Sequence, residues 1–291
     1  MKIINYGEKD SQNVILLLGY FDCLHKGHIE LIKKAKETKD VKSCKIAMFT
    51  FKNDDFSNGG ALLLYKERLA KAERLGIDEI IAADFNEKFK NTSYRDFFDT
   101  LTDTLSVEAL VCGFDYSFGK NAEGNVNSLS ELCKEKSIPL FVVPKTEING
   151  EKISTTMIKS LLLRGEVKKA DELLSEPYSI TGKIVKGRQV GRQIGFPTAN
   201  INVPEKKFRI KCGVYKTHVI IDGKRYEAIT NYGARPTFDL DFVLTETFIK
   251  EFDGDLYGKD VTVFFDDYIR DIEKFYDPED LKKQLEKDKE A

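Results

Sequence analysis

The sequence predicts a two-domain chain of the α/β class, in which a doubly wound parallel sheet is followed by an antiparallel β-barrel. In the first half, five short apolar runs alternate with stretches of helical spacing, as in parallel sheets that helices cover on both faces. In the second half, apolar and polar residues alternate between Gly-rich turns, which favours antiparallel strands that close into a barrel. A helical segment between the halves is closed by Pro177, so we place the domains at residues 1–176 and 177–291.

The elements of the first domain are predicted from its apolar runs. The strand candidates are Val14–Leu18, Lys45–Phe51, Glu79–Phe85, Ala109–Phe114 and Leu140–Val143. The helix candidates between them are His28–Thr38, Leu63–Leu75, Tyr94–Thr104 and Leu129–Lys136. In doubly wound sheets, ligands bind beyond the carboxyl ends of the strands, near the point where strand order reverses. We therefore expect the loop Gly19–Gly27 to lie at that point.

The second domain is predicted from alternation and turn residues. Its strand candidates are Tyr178–Val185, Gly213–Ile221, Lys224–Tyr232, Leu244–Phe252 and Asp260–Phe265. The pair Asp222-Gly223 between two of these runs predicts a hairpin. A last helix is expected at about Pro278–Lys287 with Asp277 as its cap, and its charged residues suggest a solvated face. The linker Thr155–Leu174 has helical spacing that Gly165 interrupts.

Composition narrows the class of function. The chain contains 46 Lys and Arg residues and 48 Asp and Glu residues. It therefore lacks the excess positive charge that would hold a nucleic acid. The longest apolar runs have five residues, against the ~20 of a membrane span, and the first eleven residues lack the apolar part of a signal peptide. The five cysteines include no CxxC pair, which favours reduced thiols. We expect a cytoplasmic protein without nucleic-acid or membrane partners.

The first candidate site is the segment Gly19–His28, GYFDCLHKGH. A strand that ends in glycine, followed by a tight loop and a helix, offers backbone N–H groups to a phosphate. His25 and His28 are candidate catalytic residues, because imidazoles can donate to oxygens whose charge grows in a nucleotidyl-transfer transition state. The candidate phosphate-binding residues of this loop are Gly19, Phe21, Asp22 and Gly27.

Two alternatives remain open for these histidines. A lone histidine is more often a hydrogen-bonded structural residue, although the H-x-G-H context favours a functional pair. A zinc site is the other alternative, with Cys23 and Cys44 as the nearby soft ligands, but their spacing matches no standard zinc site.

The second candidate site extends from Gly182 to Asn200. Four glycines within fourteen residues permit the backbone to fold around a polyphosphate. Thr198 and Asn200, two apart on an extended segment, project to one side, and their oxygens suit Mg²⁺. The candidate phosphate-binding residues here are Gly182, Lys183, Gly187, Arg192 and Gly195. Taken alone, the run Gly195–Thr198 could also be a turn that enters a strand.

Together these motifs resemble the bacterial bifunctional riboflavin kinase/FAD synthetase family over essentially the whole chain. The matching segments are Gly19–His28, Val111–Gly119 with Gly124, Ile153–Lys159, Pro197–Asn200, Asn231–Phe238, Thr245–Phe248 and Tyr268–Phe275. The resemblance implies that the second domain phosphorylates riboflavin to FMN and that the first transfers AMP from ATP to FMN. The implied partners are riboflavin, FMN and ATP, with Mg²⁺ as cofactor.

The resemblance also implies roles for residues of the first domain. His25 and His28 would contact the ATP phosphates. Thr155, Thr156 and Lys159 would close over the triphosphate, and the flavin-binding candidates are Asp115 and Phe118.

For the second domain, the resemblance implies that Thr198 and Asn200 hold Mg²⁺ and the ATP phosphates. Glu246 would be the general base, since an alcohol becomes a good nucleophile when a carboxylate takes its proton. Glu251 and Asp253 are rival candidates for the base. Asn231 and Arg270 would contact the flavin, although an arginine of this kind also occurs in surface ion pairs.

Some positions depart from the family's usual pattern. These are Cys23, Asn53–Asp55, Asn121 and Lys159. Lys159 keeps the positive charge of the usual arginine but lacks its planar, bidentate fork. The alternative function is therefore a monofunctional riboflavin kinase with a degenerate or regulatory nucleotide-binding first domain. A flavin-responsive regulator and adenylylation of a different acceptor are further alternatives.

Overall fold

The structure is a computed structural model that describes residues 1–42, 44–54, 59–148, 150–186, 195–237, 240–275 and 277–290. The chain forms two compact units, Met1–Thr155 and Thr156–Ala291. Residues 156–176 fall in the second unit, and the domain boundary predicted at residues 176 and 177 stays a prediction.

The first unit contains a six-stranded parallel sheet with the strand order β1-β4-β3-β2-β5-β8. Its strands and two small hairpins are β1 (Lys2–Asn5), β2 (Asp10–Leu18), β3 (Lys45–Phe51), β4 (Glu79–Ala83), β5 (Leu105–Gly113), β6 (Ser117–Phe118), β7 (Gly124–Asn125), β8 (Leu140–Val143), β9 (Glu147–Ile148) and β10 (Glu151–Lys152). All five predicted strands are present, and the parallel sheet is confirmed. The edge strand β1 was not predicted, because Ile4 is the only buried residue among its four.

Helices cover both faces of this sheet. They are α1 (Lys26–Lys42), α2 (Tyr65–Arg74), α3 (Glu87–Lys90), α4 (Tyr94–Thr104) and α5 (Val126–Glu135). Alternate residues of β2 enter two separate cores: Leu16 and Leu18 pack with α4 and α5, whereas Ile15 and Leu17 pack with α1 and α2. The run Val14–Leu18 is continuously apolar because both of its faces are buried.

Strand β2 marks the point where strand order reverses. The chain proceeds from β2 through β3 to β4 on one side, and it then crosses to β5 and β8 on the other. The loops after β2 and β5 therefore leave the same edge of the sheet side by side, as expected for the loop Gly19–Gly27.

The second unit is built around a closed antiparallel barrel with the strand order β11-β12-β15-β14-β13-β16. Its elements are α6 (Thr155–Leu163), α7 (Val167–Leu173), β11 (Ser179–Val185), β12 (Thr198–Asn202), β13 (Gly213–Ile221), β14 (Lys224–Thr237), β15 (Leu240–Ile249), β16 (Asp260–Arg270) and α8 (Pro278–Glu290). The predicted barrel is confirmed.

The turns and helix boundaries of the second unit lie where the sequence predicts them. Asp222 and Gly223 have φ values of 50° and 78° and join β13 to β14, as in a type I′ hairpin turn. Gly165, with φ of 79°, separates α6 from α7. The Asp277 carboxylate accepts a hydrogen bond from the Glu279 N–H group at 2.9 Å and caps α8. Within the described ranges, no helix combines the length and apolarity that crossing a membrane requires.

Candidate active sites

The loop after β2 is held by two buried anchors. Phe21 and Leu24 have φ values of 50° and 48°, a left-handed conformation that non-glycine residues adopt at a cost. Both side chains are fully buried in the core between the sheet and α1. Apolar burial therefore stabilises a strained loop that presents His25 beside the first turn of the helix.

His25 caps helix α1 with its own ring. Its Nδ1 atom accepts a hydrogen bond from the His28 N–H group at 3.2 Å, so the proton of the neutral ring lies on Nε2, which can donate to a ligand. A Cβ atom at Gly27 would lie 3.0 Å from His25 Cε1, which explains the glycine. Burial lowers the pKa of His25 to about 4, and burial also lowers the pKa of His28. Both rings are therefore neutral at pH 7.

The two imidazole rings stack on each other. Their centroids are 3.7 Å apart and their planes differ by 9°. The ligand atoms of Cys23, His25 and His28 lie within 4.8 Å of one another. A zinc ion must lie ~2.0–2.1 Å from each nitrogen, along an in-plane lone pair, which two parallel stacked rings cannot both offer to one ion. Burial raises the pKa of the Cys23 thiol to about 12, which further opposes the thiolate that zinc binds.

Zinc is therefore disfavoured at this loop. Cys44, the other predicted soft ligand, is buried in the core between the sheet and α1. The His28 Nδ1 atom is buried without a hydrogen-bond partner in the part of the chain that the structure describes, and this polar atom suits a bound phosphate or other polar ligand.

A cavity of about 470 Å³ opens beside this loop. It is lined by seven of the predicted site residues, Gly19, His25, Gly27, His28, Asp115, Phe118 and Thr155. Aromatic side chains form much of its remaining wall: Phe49, Phe51, Phe85, Phe89, Phe97 and Tyr116. Tyr116 and Phe118 stack with their centroids 5.3 Å apart. The cavity thus combines a polar end, suited to phosphate, with aromatic walls suited to a planar ring.

Two cationic residues of this cavity lie outside the sequence motifs. Lys145 and Lys152, which lie between β8 and α6, line it, and the Lys152 ammonium group contacts the Asp115 carboxylate. Isolated lysines near a short hairpin carry no spacing signal, so only the fold brings them to the histidines.

Four other predicted residues lie elsewhere. Asp22 accepts a hydrogen bond from the Leu62 N–H group at 3.1 Å, and both Asp22 and Phe21 are buried supports of the loop. Thr156 and Lys159 lie on α6, where the Lys159 ammonium group is 5.0 Å from the centroid of the Phe208 ring. Phosphate binding by these four residues stays a prediction.

The barrel site is a row of side chains across neighbouring strands. Asn200 of β12 pairs with Glu246 of β15, which pairs with Asn231 of β14. Asn231 pairs with Val214 of β13, and Val214 pairs with Arg270 of β16. Directly opposed residues of antiparallel strands project from the same face, so strand register alone collects four predicted site residues.

Two adjoining cavities flank this row. The smaller, of about 170 Å³, is lined by Glu246, Asn231, Arg270 and Thr198 together with residues of α8. The larger, of about 650 Å³, is lined by Thr198, Asn200 and a loop that includes Asp253 and Asp255. Thr198 belongs to both, so a group bound in one cavity can meet a group bound in the other.

The residues present fit a hard cation. Asn200 is 4% exposed, and its Oδ1 atom has no hydrogen-bond partner among the described residues. Its Nδ2 atom donates to the Thr198 carbonyl oxygen at 3.1 Å, which fixes the side chain. An unpaired amide oxygen and a threonine hydroxyl, in a cavity that Asp253 also lines, are the kind of oxygen donors that Mg²⁺ prefers.

The glycine-rich segment before β12 is described only in part. A Cβ atom at Gly182 would lie 2.4 Å from Ile201 Cγ2, so close packing between strands accounts for that glycine. Lys183 is exposed, and Gly195 has φ of 87°. Gly187 and Arg192 lie outside the described residues, as does Asp55. Phosphate binding by these glycines and basic residues stays a prediction.

The two units hold two candidate transferase sites of different architecture, one for each predicted ATP-dependent reaction. A family model described as FAD synthetase matches residues 7–157, and one described as riboflavin kinase matches residues 174–291. The chain belongs to the family of bifunctional riboflavin kinase/FMN adenylyltransferases.

Individual relatives match along nearly the whole chain. The Listeria monocytogenes bifunctional riboflavin kinase/FMN adenylyltransferase is 34% identical over 284 residues, which is 95% of this chain and 90% of the relative. The Bacillus subtilis protein of the same description is 30% identical over 292 residues, 97% of this chain and 92% of the relative. A crystal structure from Streptococcus pneumoniae, described as a macrolide-efflux protein, is 32% identical, with a TM-score of 0.89 over 100% of this chain and 98% of that one. The fold described here is therefore shared with that structure.

Proposed function

We propose that this chain phosphorylates riboflavin to FMN in the barrel unit and adenylylates FMN to FAD in the α/β unit, with ATP as donor in both reactions. The observation that supports this most directly is that each unit matches its own family model and has its own cavity beside the predicted catalytic residues.

In the proposed kinase reaction, Glu246 takes the proton of the terminal ribityl hydroxyl as that oxygen attacks the γ-phosphorus of ATP, and ADP leaves as the bond to the β,γ-bridging oxygen breaks. The smaller cavity would hold the flavin and the larger one the nucleotide, so that the reacting groups meet at Thr198. Thr198 and Asn200 would hold Mg²⁺, which when bound neutralises charge on the phosphates. Asp253 lines the nucleotide side rather than the Glu246 side, which makes it a weak rival for the base.

In the proposed adenylyl transfer, an FMN phosphate oxygen attacks the α-phosphorus of ATP and pyrophosphate leaves. Because His25 is neutral and carries its proton on Nε2, it can donate a hydrogen bond where negative charge develops on the phosphates. Lys152 would add positive charge at the same end of the cavity. The aromatic walls would hold the isoalloxazine ring of FMN beside Phe118.

The proposed partners are therefore riboflavin, FMN and ATP, and the proposed location is the cytoplasm. The nearly balanced charge of the chain supports the absence of a nucleic-acid partner, because such partners are held largely by excess basic charge.

A coupled assay tests both halves. Purified protein is incubated with riboflavin and Mg-ATP, and a parallel sample starts from FMN; flavins are separated by chromatography. We expect FMN and then FAD from riboflavin, and FAD from FMN. The kinase proposal fails if riboflavin yields no FMN, whereas FMN without FAD in both samples supports the monofunctional alternative.

A further inference from the structure

A buried ion pair ties helix α8 to the barrel beside the kinase cavity. The Arg270 guanidinium donates from Nε to Asp288 Oδ1 at 2.9 Å and from Nη2 to Asp288 Oδ2 at 2.7 Å. The Asp288 side chain is 2% exposed and that of Arg270 is 17% exposed. Gln284 also donates to Asp288 Oδ1, at 2.9 Å. Charge-assisted, bidentate pairs of this kind fix the plane of the guanidinium as well as its position.

The burial of Asp288 corrects the sequence-based expectation for the last helix. The acidic and basic residues of α8 suggest a solvated face, and its other carboxylates are indeed exposed: Glu279, Asp280, Glu286 and Glu290. Asp288 instead lines the small cavity together with Leu281 and Leu285. The helix therefore forms a wall of the kinase cavity.

Arg270 retains donors for a ligand. Two of its five N–H groups donate to Asp288, and Nη1 donates a third to the Asp271 carbonyl oxygen at 3.1 Å. A guanidinium has five N–H donors, so two are not used by these three bonds. Arg270 lines the same cavity as Glu246 and Asn231, where the carbonyl oxygens of a flavin ring are suitable acceptors.

The helix has a second tie that does not involve Asp288. The Lys250 ammonium group donates to the Lys289 carbonyl oxygen at 2.5 Å, near the carboxyl end of α8, where a cation also complements the helix dipole. The helix can therefore stay docked when the Asp288 carboxylate is changed.

We propose that Asp288 is a positioning residue of the riboflavin kinase site. It fixes the Arg270 guanidinium and holds the α8 wall against the flavin ring, and it does not touch the reacting atoms. This inference rests on the proposed kinase function of the barrel. It implies that Asp288 controls flavin affinity, whereas Glu246 controls the chemical step.

The test compares Asp288→Asn with Glu286→Gln, an exposed carboxylate on the same helix. We expect Asp288→Asn to raise the KM for riboflavin about tenfold, with kcat changed less than about threefold, because only binding interactions are weakened. Glu286→Gln should match the wild type. FAD formation from supplied FMN, which uses the other unit, should be equal in all variants. Circular dichroism and thermal unfolding verify that α8 is retained.

A double-mutant cycle separates positioning from a purely structural role. If Asp288 acts through Arg270, the KM of Asp288→Asn with Arg270→Lys should be little higher than that of Arg270→Lys alone. Full additivity of the two effects overturns the proposal, as does an Asp288→Asn KM equal to that of Glu286→Gln.

Gln284→Met provides a second variant if Asp288→Asn does not fold. It removes one hydrogen bond to the carboxylate, and we expect a KM increase of about twofold to threefold; an unchanged KM counts against the proposal. A wild-type chain that forms no FMN marks the failure of the kinase function itself, which is distinct from a failure of Asp288 to position Arg270.

Discussion

The two units bring their candidate catalytic side chains together in different ways. In the α/β unit, His25 ends the loop after β2 and His28 lies in the first turn of α1, so local backbone geometry places both. In the barrel unit, Asn200, Glu246 and Arg270 come from three strands and lie in one row only because of strand register. A contiguous segment can therefore form a site locally, whereas a row across strands forms one only when the whole barrel has folded.

The two candidate sites differ in their sensitivity to errors in strand pairing. A shift of one residue in the pairing of β12 with β15 would turn every side chain of one strand to the opposite face and would separate Asn200 from Glu246. The loop after β2 carries no comparable dependence, because both of its imidazoles move with the start of α1.

The largest expected effect is that of Glu246→Gln. Loss of the general base should reduce FMN formation about 10³-fold and leave FAD formation from supplied FMN unchanged. Glu251→Gln is the matched control, an exposed carboxylate just beyond β15. Steady-state rates for both reactions check this, and the base assignment is wrong if Glu251→Gln is the more damaging change.

Next in size is His28→Ala in the other unit. Removal of one donor to the transferring phosphate should lower FAD formation about 10²-fold with FMN formation intact. His218→Asn, at a histidine that pairs with Asp266 in the barrel, is the control. Wild-type adenylyl transfer in His28→Ala would refute the role of this imidazole.

The buried imidazole also predicts a pH dependence of stability. The pKa of His25 is about 4 in the folded chain against its ordinary 6.5, so between these values the unfolded chain binds more protons. The stability associated with the neutral folded-state ring is fully present above pH 6.5. As the pH is lowered from 7 to 5, the free energy of unfolding falls by about 2 kcal/mol because the unfolded chain binds the proton more readily. Urea unfolding of the wild type and of His25→Gln at pH 7 and pH 5 measures this change in the free energy of unfolding. Equal pH dependence in the two proteins would contradict the prediction.

Asn200→Ala tests the cation site of the barrel. Loss of its buried amide oxygen should raise the Mg²⁺ concentration needed for half-maximal FMN formation about tenfold. Asn202→Ala, at an exposed asparagine on the same strand, should have no effect. Magnesium titrations of the kinase reaction decide between these outcomes, and an unchanged titration in Asn200→Ala removes this residue from the metal site.

The smallest expected effect is that of Lys152→Met. Because this ammonium group is partly exposed, its interaction with phosphate is screened by water, and we expect the KM for ATP in adenylyl transfer to rise about threefold. Lys134→Met, at an exposed lysine of α5 that does not line the cavity, serves as the control. No difference between these variants would mean that Lys152 only pairs with Asp115.

Several features of the site were predictable because their signal is local. The loop Gly19–His28 and the alternation around Asp222-Gly223 carry their geometry in neighbouring residues, so the first cavity and the hairpin follow from short patterns. Lys152 and Asp288 were missed for the opposite reason. Each is one charged residue in a stretch of many, and burial or proximity to a cavity is conferred by distant strands.

The sequence by itself determined the class of fold, most of its strands and the family to which the chain belongs. These depend on hydrophobic periodicity, turn residues and short motifs, which act over a few residues. The tertiary structure alone decided that Thr198 joins two cavities, that Lys152 lines the cavity of the histidines, and that Asp288 is buried against Arg270. Such features arise from pairing and packing between segments far apart in the chain, whose geometry no local pattern specifies.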